Sequence, residues 1–208
     1  MIEHVTYYGH DAFRLKGTKI IYIDPFHLPE GVEPADLILI THDHFDHFSV
    51  KDVMMISNEG TTLVCTPDGQ SKLSDFPGDV VLVEPNRRYE VDGIPVETVP
   101  AYNADERFHP KDNDWVGYII SLDGRRYYHA GDTDHIPEME TIEDIDVAFL
   151  PVSGTSVMDV QQAVKAAEEI KPKIAVPMHY GDIVGNRDQA EQFKERYSGR
   201  TEILEPSR

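Results

Sequence analysis

Cysteine, long apolar stretches and clustered basic residues are all scarce in this sequence. The single cysteine, Cys65, excludes a disulfide within the chain and favours a cytoplasmic location. No stretch approaches the roughly 18 consecutive apolar residues of a membrane-spanning helix. The first residues also lack the basic segment and apolar core of a signal peptide. We therefore expect a cytoplasmic protein that has no membrane partner.

Basic residues are also few compared with acidic residues. Lys and Arg number 19 against 38 Asp and Glu, which gives a formal net charge of −19. The basic residues cluster only as the pairs Arg87-Arg88 and Arg125-Arg126. Such a charge balance repels the phosphate backbone of nucleic acids. We expect a small-molecule substrate and no nucleic-acid partner, while the oligomeric state is left open.

The remaining composition is typical of a folded domain. With 40% hydrophobic and 27% charged residues and no linker, residues 1–208 are expected to form one domain. Apolar runs at residues 37–40 and 174–177 predict buried strands, and helical spacing predicts a helix over residues 158–171. A last helix is expected to be capped by Asp188 with Glu191, followed by an edge strand at residues 201–204. The composition thus predicts a mixed α and β protein.

A dense group of polar side chains directly follows the apolar run at residues 37–40. It has the spacing His-x-His-x-Asp-His and comprises His42, His44, Asp46 and His47. Imidazole nitrogens and carboxylate oxygens are the ligands that Zn²⁺ prefers in catalytic sites. Four ligands so close in sequence cannot all reach one ion with good geometry. We therefore predict two ions, one bound by His42 and His44 and the other by Asp46 and His47.

Four further segments carry a family resemblance. They read Tyr8-Gly9-His10, Asp24-Pro25-Phe26, Ala130-Gly131-Asp132-Thr133 and Met178-His179-Tyr180-Gly181. Together with the His-x-His-x-Asp-His motif, they make the chain resemble the metallo-β-lactamase superfamily over nearly its whole length. Within that superfamily it resembles the small single-domain hydrolases that include the ascorbate-phosphate lactonases. The resemblance implies an α/β fold with four layers, the αβ/βα sandwich, in which two sheets face each other with helices outside.

The same resemblance implies roles for residues outside the motif. Asp132 would bridge both ions, because a carboxylate has two oxygens. His179 would complete the ligands of the second ion. Asp24 would accept a hydrogen bond from a ligating histidine and orient it, unless Asp24-Pro25 is only a turn. His10 either lines the site or is a structural histidine.

The third ligand of the first ion is the weak point of the pattern. Where the family normally supplies a histidine, this chain has Asn103, and amides are poor Zn²⁺ ligands. His109, six residues further on, is the nearby alternative, and Pro110 restricts its backbone to extended angles. If neither residue binds, the site would operate with one ion.

The function that the resemblance implies is hydrolysis. We expect one or two Zn²⁺ ions, with Mn²⁺ or Fe²⁺ as alternatives, and a metal-bound hydroxide that cleaves a small ester, lactone or phosphodiester. Asp46 is expected to be catalytic as well as ligating, because it is placed to handle the proton of the nucleophile. Residues 104–114 are a predicted lid, and Tyr102 and Tyr180 are candidate substrate contacts. No motif identifies the substrate.

Two other functions remain open. A metal-binding scaffold with a decayed first site would explain the amide at Asn103. A di-iron redox protein would share the fold, but such proteins usually carry Glu where this chain has Asp43. Turnover of generic ester and phosphodiester probes would separate an enzyme from a scaffold.

Overall fold

The computed structural model describes residues 2–105 and 108–207 of the chain. The strands of the first half are β1 Val5–Gly9, β2 Ala12–Lys16, β3 Ile20–Ile23, β4 Leu37–Leu39, β5 Thr62–Cys65 and β6 Asp79–Leu82. Those of the second half are β7 Arg88–Val91, β8 Ile94–Pro100, β9 Val116–Leu122, β10 Arg125–His129, β11 Val147–Pro151 and β12 Ile174–Met178. The helices are α1 Val50–Ile56, α2 Val160–Ile170 and α3 Arg187–Arg196. Short 3₁₀ helices span Pro67–Lys72, Lys111–Asn113 and Pro137–Thr141.

The twelve strands form two sheets of six. The first has the order β1-β2-β3-β4-β5-β6 and the second the order β12-β11-β10-β9-β8-β7. Strands β1 to β3 pair antiparallel and β3 to β6 parallel. In the second sheet, β7 to β10 are antiparallel and β10 to β12 are parallel. Each sheet therefore has a parallel part, where several strands end at the same edge.

The alternation of side chains along β4 separates the layers. Leu37 and Leu39 belong to the large core that contains residues of both sheets, whereas Ile38 belongs to a second core with Val53 and Ile56 of α1. This follows from the two-residue period of a strand, which sends successive side chains to opposite faces. The helices α2 and α3 pack against β11 and β12 of the second sheet. The predicted α/β sandwich is confirmed.

The second half contains two departures from the predicted elements. Helix α3 is capped by Asn186, whose side chain accepts from Asp188 N and whose backbone N–H is bound by Gln189. The predicted cap at Asp188 was therefore wrong by two residues, because Asn186 offers the same kind of acceptor earlier in the chain. Residues 201–204 form only a single bridge, between Thr201 and Ala175.

Candidate metal centre

The loops that follow β4, β8, β10 and β12 bring the predicted ligands together. These are His42, His44, Asp46, His47, His109, Asp132 and His179. Their nitrogen and oxygen atoms fall into three groups, and within each group all members lie within 4.8 Å of one another. One group contains His42, His44 and His109, and the other two share His47 and His179. Parallel neighbouring strands end at the same edge of a sheet, so residues far apart in sequence meet there.

Asp24 connects the end of β3 to the loop after β4. Its carboxylate accepts hydrogen bonds from the backbone N–H of Thr41 at 2.8 Å, the Thr41 hydroxyl at 2.7 Å and His47 Nδ1 at 2.9 Å. Asp24 is fully buried. Burial works against a charge on His47, but Asp132 and Asp24 outweigh this effect and raise the pKa of His47 well above its usual value. With Nδ1–H donated to Asp24, Nε2 is the nitrogen that faces the cluster, and it would lose its proton when a metal ion binds.

One set of three imidazoles, which we call the first subsite, consists of His42, His44 and His109. His42 Nε2 lies 3.0 Å from His44 Nδ1. His42 Nδ1 donates to the Thr41 hydroxyl at 2.9 Å, because that hydroxyl has already given its own hydrogen to Asp24. His109 is 2% exposed and its Nε2 has no hydrogen-bond partner. The three rings thus turn nitrogen atoms towards one point.

Asn103 orients His109. Its Oδ1 accepts from His109 Nδ1 at 2.7 Å, while its Nδ2 donates to Asp134 Oδ1 at 3.2 Å and to the Ser156 carbonyl at 2.8 Å. Because the amide donates to two oxygens, its own oxygen is identified as the atom that faces His109. A backbone hydrogen bond from Asn103 N to His109 O, 2.8 Å long, folds the segment back on itself. This geometry makes His109, and not Asn103, the candidate third ligand.

A second set comprises His10, Asp46, His47 and His179. We call the three predicted ligands among them, Asp46, His47 and His179, the second subsite. His179 follows β12 and adopts a left-handed backbone with φ of 59°. Its Nδ1 lies 3.0 Å from the Ser153 hydroxyl, and its Nε2 is directed at the cluster, 3.2 Å from Asp132 Oδ2. Ser153 follows β11 and carried no signal in the sequence.

Asp132 lies between the two subsites. Its Oδ2 is 3.3 Å from His109 Nε2 and 3.2 Å from His179 Nε2, and its Oδ1 is 3.4 Å from His47 Nε2. Burial disfavours its charge, but His179 and His47 more than compensate and hold the pKa of Asp132 well below its usual value. One carboxylate therefore contacts histidines of both sets, which is the placement that a bridging ligand needs.

Two further residues, His10 and Asp11, lie beside the second subsite. The sequence indicates His10 only weakly and does not predict Asp11. His10 Nε2 lies 3.1 Å from Asp46 Oδ2, and its ring centroid is 4.2 Å from that of His179. Asp11 is fully buried, neither of its carboxylate oxygens has a hydrogen-bond partner, and Oδ2 is 3.7 Å from His47 Nδ1. Burial raises the pKa of Asp11 to about 7. The only sequence signal for Asp11 is its position next to His10.

Trp115 forms one wall of the first subsite. The ring centroids of His42 and His44 lie 4.8 Å from that of the indole, and that of His109 lies at 5.5 Å. The indole N–H donates to Asp68 Oδ2 at 2.5 Å. The indole is thereby held in place, and it limits the orientations available to the three histidines.

The residues of the cluster fit divalent cations. Nε2 of His47 and of His109 and Oδ1 of Asp132 are buried atoms without a hydrogen-bond partner. Several lone pairs converge in a small volume, and this is unfavourable unless a cation lies between them. Burial, and then the positive charge of His47, lower the pKa of His42 well below its usual value, so that its imidazole is neutral as ligation requires.

The cavity above the cluster has a volume of about 290 Å³. It is lined by His44, Phe45, Asp46, Phe108, His109, Asp132, Thr155, Ser156, His179 and Val184. Part of the predicted lid, residues 106 and 107, lies outside the described residues. Neither predicted substrate contact lines this cavity, since Tyr102 donates to Glu138 and Tyr180 lines a separate cavity with Tyr7.

A comparison with known protein families decides the affiliation of the chain. The family model described as "Beta-lactamase superfamily domain" matches residues 4–179, which include the predicted ligands from both halves. The chain belongs to the metallo-β-lactamase superfamily. The match begins before His10 and ends at His179, so it covers both subsites.

Relatives in the metallo-β-lactamase superfamily extend the match to nearly the whole chain. A UPF0173 metal-dependent hydrolase from Thermococcus onnurineus is 36% identical over 96% of this chain and 94% of its own. A solved structure from Parabacteroides distasonis has a TM-score of 0.85 at 33% identity, over 98% of this chain and 93% of that one. Igni18, a metallo hydrolase from Ignicoccus hospitalis, has a TM-score of 0.81 at 26% identity, over 98% and 95%. The chain is a metal-dependent hydrolase of the metallo-β-lactamase superfamily.

We predict that His109→Ala removes about one ion per chain and leaves the other bound. Asn103→Ala should weaken the same ion by about 10- to 100-fold, because it removes only the partner that orients the ring. Isothermal titration with Zn²⁺ and elemental analysis measure both effects. Asn113→Ala, a change at an exposed asparagine of the same region, is the matched control. Loss of the ion in Asn103→Ala with normal binding in His109→Ala would show that the amide is the ligand.

We also predict that metal binding changes the fluorescence of Trp115, the single tryptophan of the chain. Its ring contacts with three candidate ligands place it beside the first subsite. Co²⁺ should quench the emission to a saturating level, because a paramagnetic ion close to an indole quenches it. In His109→Ala the quenching should need a higher concentration of Co²⁺. Unchanged emission in protein that demonstrably holds two ions would contradict this placement.

Proposed function

We propose that this chain hydrolyses a small ester, lactone or phosphodiester with two Zn²⁺ ions, for which Mn²⁺ or Fe²⁺ are alternatives. The observation that supports the proposal is the position of Asp132 between two sets of inward-facing nitrogens. The first subsite, His42, His44 and His109, would hold one ion. Asp46, His47 and His179 would hold the other, and Asp132 would contact both. When bound, such ions acidify a water molecule and polarise the scissile bond.

The proposed catalytic residue is Asp46. Burial works against its charge, but the hydrogen bond with His10 and the charge of His47 lower the pKa of Asp46 to about 2. Its side chain is 15% exposed and lines the cavity. An ionised carboxylate at this place can accept the proton of an attacking water and return it to the leaving group. The buried His10 contacts this carboxylate through Nε2 and thereby restricts its orientation.

The proposed partner is a small-molecule substrate and not a nucleic acid or a membrane. The cavity is of the size that holds a small ligand. The net charge of −19 disfavours a polyanion. No helix among residues 2–105 and 108–207 is long and apolar enough to cross a bilayer. The cytoplasmic location and the single domain over residues 1–208 stay predictions.

A screen of metal-loaded protein tests this function. Protein stripped with a chelator and reloaded separately with Zn²⁺, Mn²⁺ or Fe²⁺ would be assayed against 4-nitrophenyl esters, lactones and bis(4-nitrophenyl) phosphate. Elemental analysis of the same samples gives the number of ions. We expect close to two ions per chain and turnover that follows metal content. Fewer than one ion per chain after reloading would contradict the proposal.

The position of His109 argues against the alternative of a metal-binding scaffold with a decayed first site. That hypothesis depended on Asn103 as a defective ligand, whereas His109 supplies an imidazole at the same subsite. Nothing in the cluster favours the di-iron redox alternative. The metal content of the natural protein would distinguish iron from zinc.

A further inference from the structure

Two exposed phenylalanines border the cavity of the candidate metal centre. Phe45 is 68% exposed and Phe108 is 55% exposed. Both line the same cavity as His44, Asp46 and His109. Burial of a large apolar side chain is favourable, and an exposed one does not gain this free energy. Exposed apolar patches therefore often mark binding surfaces.

Each of the two phenylalanines is adjacent in sequence to candidate metal ligands. Phe45 lies between His44 and Asp46 in sequence, and Phe108 directly precedes His109. Phe45 is also supported from behind by Phe26, with ring centroids 6.2 Å apart in an edge-to-face arrangement. Any group that places its scissile bond at the cluster is therefore brought next to both rings.

The rest of the wall is apolar or weakly polar. Apart from the candidate ligands and the two phenylalanines, the lining comprises Val184, Thr155 and Ser156, and the neighbouring Ile183 is 42% exposed. Among the described residues that line this cavity, none is Lys or Arg. Within the described part of the lining, a negative charge on the substrate away from the scissile bond would meet no cationic side chain. The net charge of −19 also disfavours such a substrate. An uncharged apolar group would instead release free energy by covering the two rings.

We propose that Phe45 and Phe108 select substrates with an uncharged acyl chain or aryl ring next to an ester or lactone carbonyl. This inference rests on the proposed hydrolysis and names its substrate class. In the reaction, the bond between the acyl carbon and the alkoxy oxygen breaks. The hydroxyl of a water is added to the carbon, and the remaining proton goes to the alkoxy oxygen. The acyl chain lies between the rings and distinguishes one ester from another.

Chain length is the variable that tests the inference. Burial of one methylene group strengthens binding by up to about fourfold. For metal-loaded protein we expect kcat/KM to rise by about two- to fourfold per methylene from 4-nitrophenyl acetate through butanoate to hexanoate. Phe45→Ala and Phe108→Ala should each reduce this rise, so that their loss of kcat/KM grows with chain length to about tenfold for hexanoate.

The matched control is Leu82→Ala on β6. Leu82 is an exposed apolar residue, 38% accessible, and it is not part of the cavity lining. Its removal should leave the chain-length dependence unchanged. Equal kcat/KM for acetate and hexanoate in the unaltered protein, or the same slope in both phenylalanine variants, would overturn the inference while leaving hydrolysis intact.

Binding of hydroxamic acids gives a readout without turnover. Hydroxamates chelate metal ions, so calorimetric titration of the metal-loaded protein with acetohydroxamic, butanohydroxamic and hexanohydroxamic acid measures the contribution of the chain alone. We expect affinity to rise with length and this rise to be smaller in Phe45→Ala and in Phe108→Ala. If it does so while no ester is hydrolysed, the apolar subsite stands and the proposed ester hydrolysis falls.

A charged analogue tests the second half of the inference. The monohydroxamate of succinic acid has the same backbone length as butanohydroxamic acid but ends in a carboxylate. We expect it to bind at least about tenfold more weakly, because the chelating group is shared and only the carboxylate must be desolvated beside the rings. Tighter binding of the succinic compound would overturn the preference for an uncharged group.

Discussion

Asp132→Asn is expected to remove most of the bound metal and nearly all hydrolysis. Asp132 contacts histidines of both subsites, through Oδ2 to His109 and His179 and through Oδ1 to His47. An amide of the same size keeps the shape but loses the charge and one of the two acceptor oxygens. Even the outer partners of metal ligands are worth roughly 10- to 100-fold in affinity, so we expect a loss of more than about 100-fold at each ion. Elemental analysis and titration with Zn²⁺ measure this loss.

Asp144→Asn is the matched control for this substitution. Asp144 is exposed and has a φ of 57°, a conformation that asparagine tolerates well. Circular dichroism should show that both variants keep the fold. If Asp132→Asn bound two ions with unchanged affinity, the bridging role of Asp132 would have to be abandoned, and with it the shared centre.

Asp46→Ala should separate catalysis from metal binding. The second ion would keep His47, His179 and Asp132 as candidate ligands, so we expect most of the metal to remain. The proton-accepting carboxylate is lost, and general acid–base groups typically contribute about 10²- to 10⁴-fold. We therefore expect kcat to fall by about 1,000-fold in protein that still contains well over one ion per chain. Both quantities should be measured on the same preparation.

The control for Asp46 comes from the same loop. Asp43→Ala makes the same chemical change between His42 and His44, at a carboxylate that lies 4.0 Å from Lys72 and belongs to neither subsite. We expect its turnover to stay within about threefold of the unaltered protein. Retained turnover together with lost metal in Asp46→Ala would reverse the assignment and make Asp46 a ligand alone.

Much of the candidate centre was readable from local patterns. The residues His42, His44, Asp46 and His47 follow an apolar strand at a spacing that few other functions require. Strands were recognisable because burial of β4 on both faces needs an unbroken apolar run. The family resemblance added Asp132 and His179, and the structure places both beside the motif.

The choice between Asn103 and His109 could not be read in this way. Both residues offer a ligand atom, and the decision depends on Asp134 and Ser156, which lie far along the chain and bind the amide nitrogen of Asn103. Sequence spacing carries no information on such contacts. Only the folded chain shows which atom of Asn103 faces His109.

The same reason explains the other residues that were missed. Asp11, Trp115 and Ser153 belong to no motif, and each acquires its place because separate strands end at one edge of the two sheets. A ligand pattern is local, since it needs several metal-binding side chains close together in one loop. The orientation, charge and enclosure of those side chains are set by non-local partners, and strand pairing in the tertiary structure decides which partners those are.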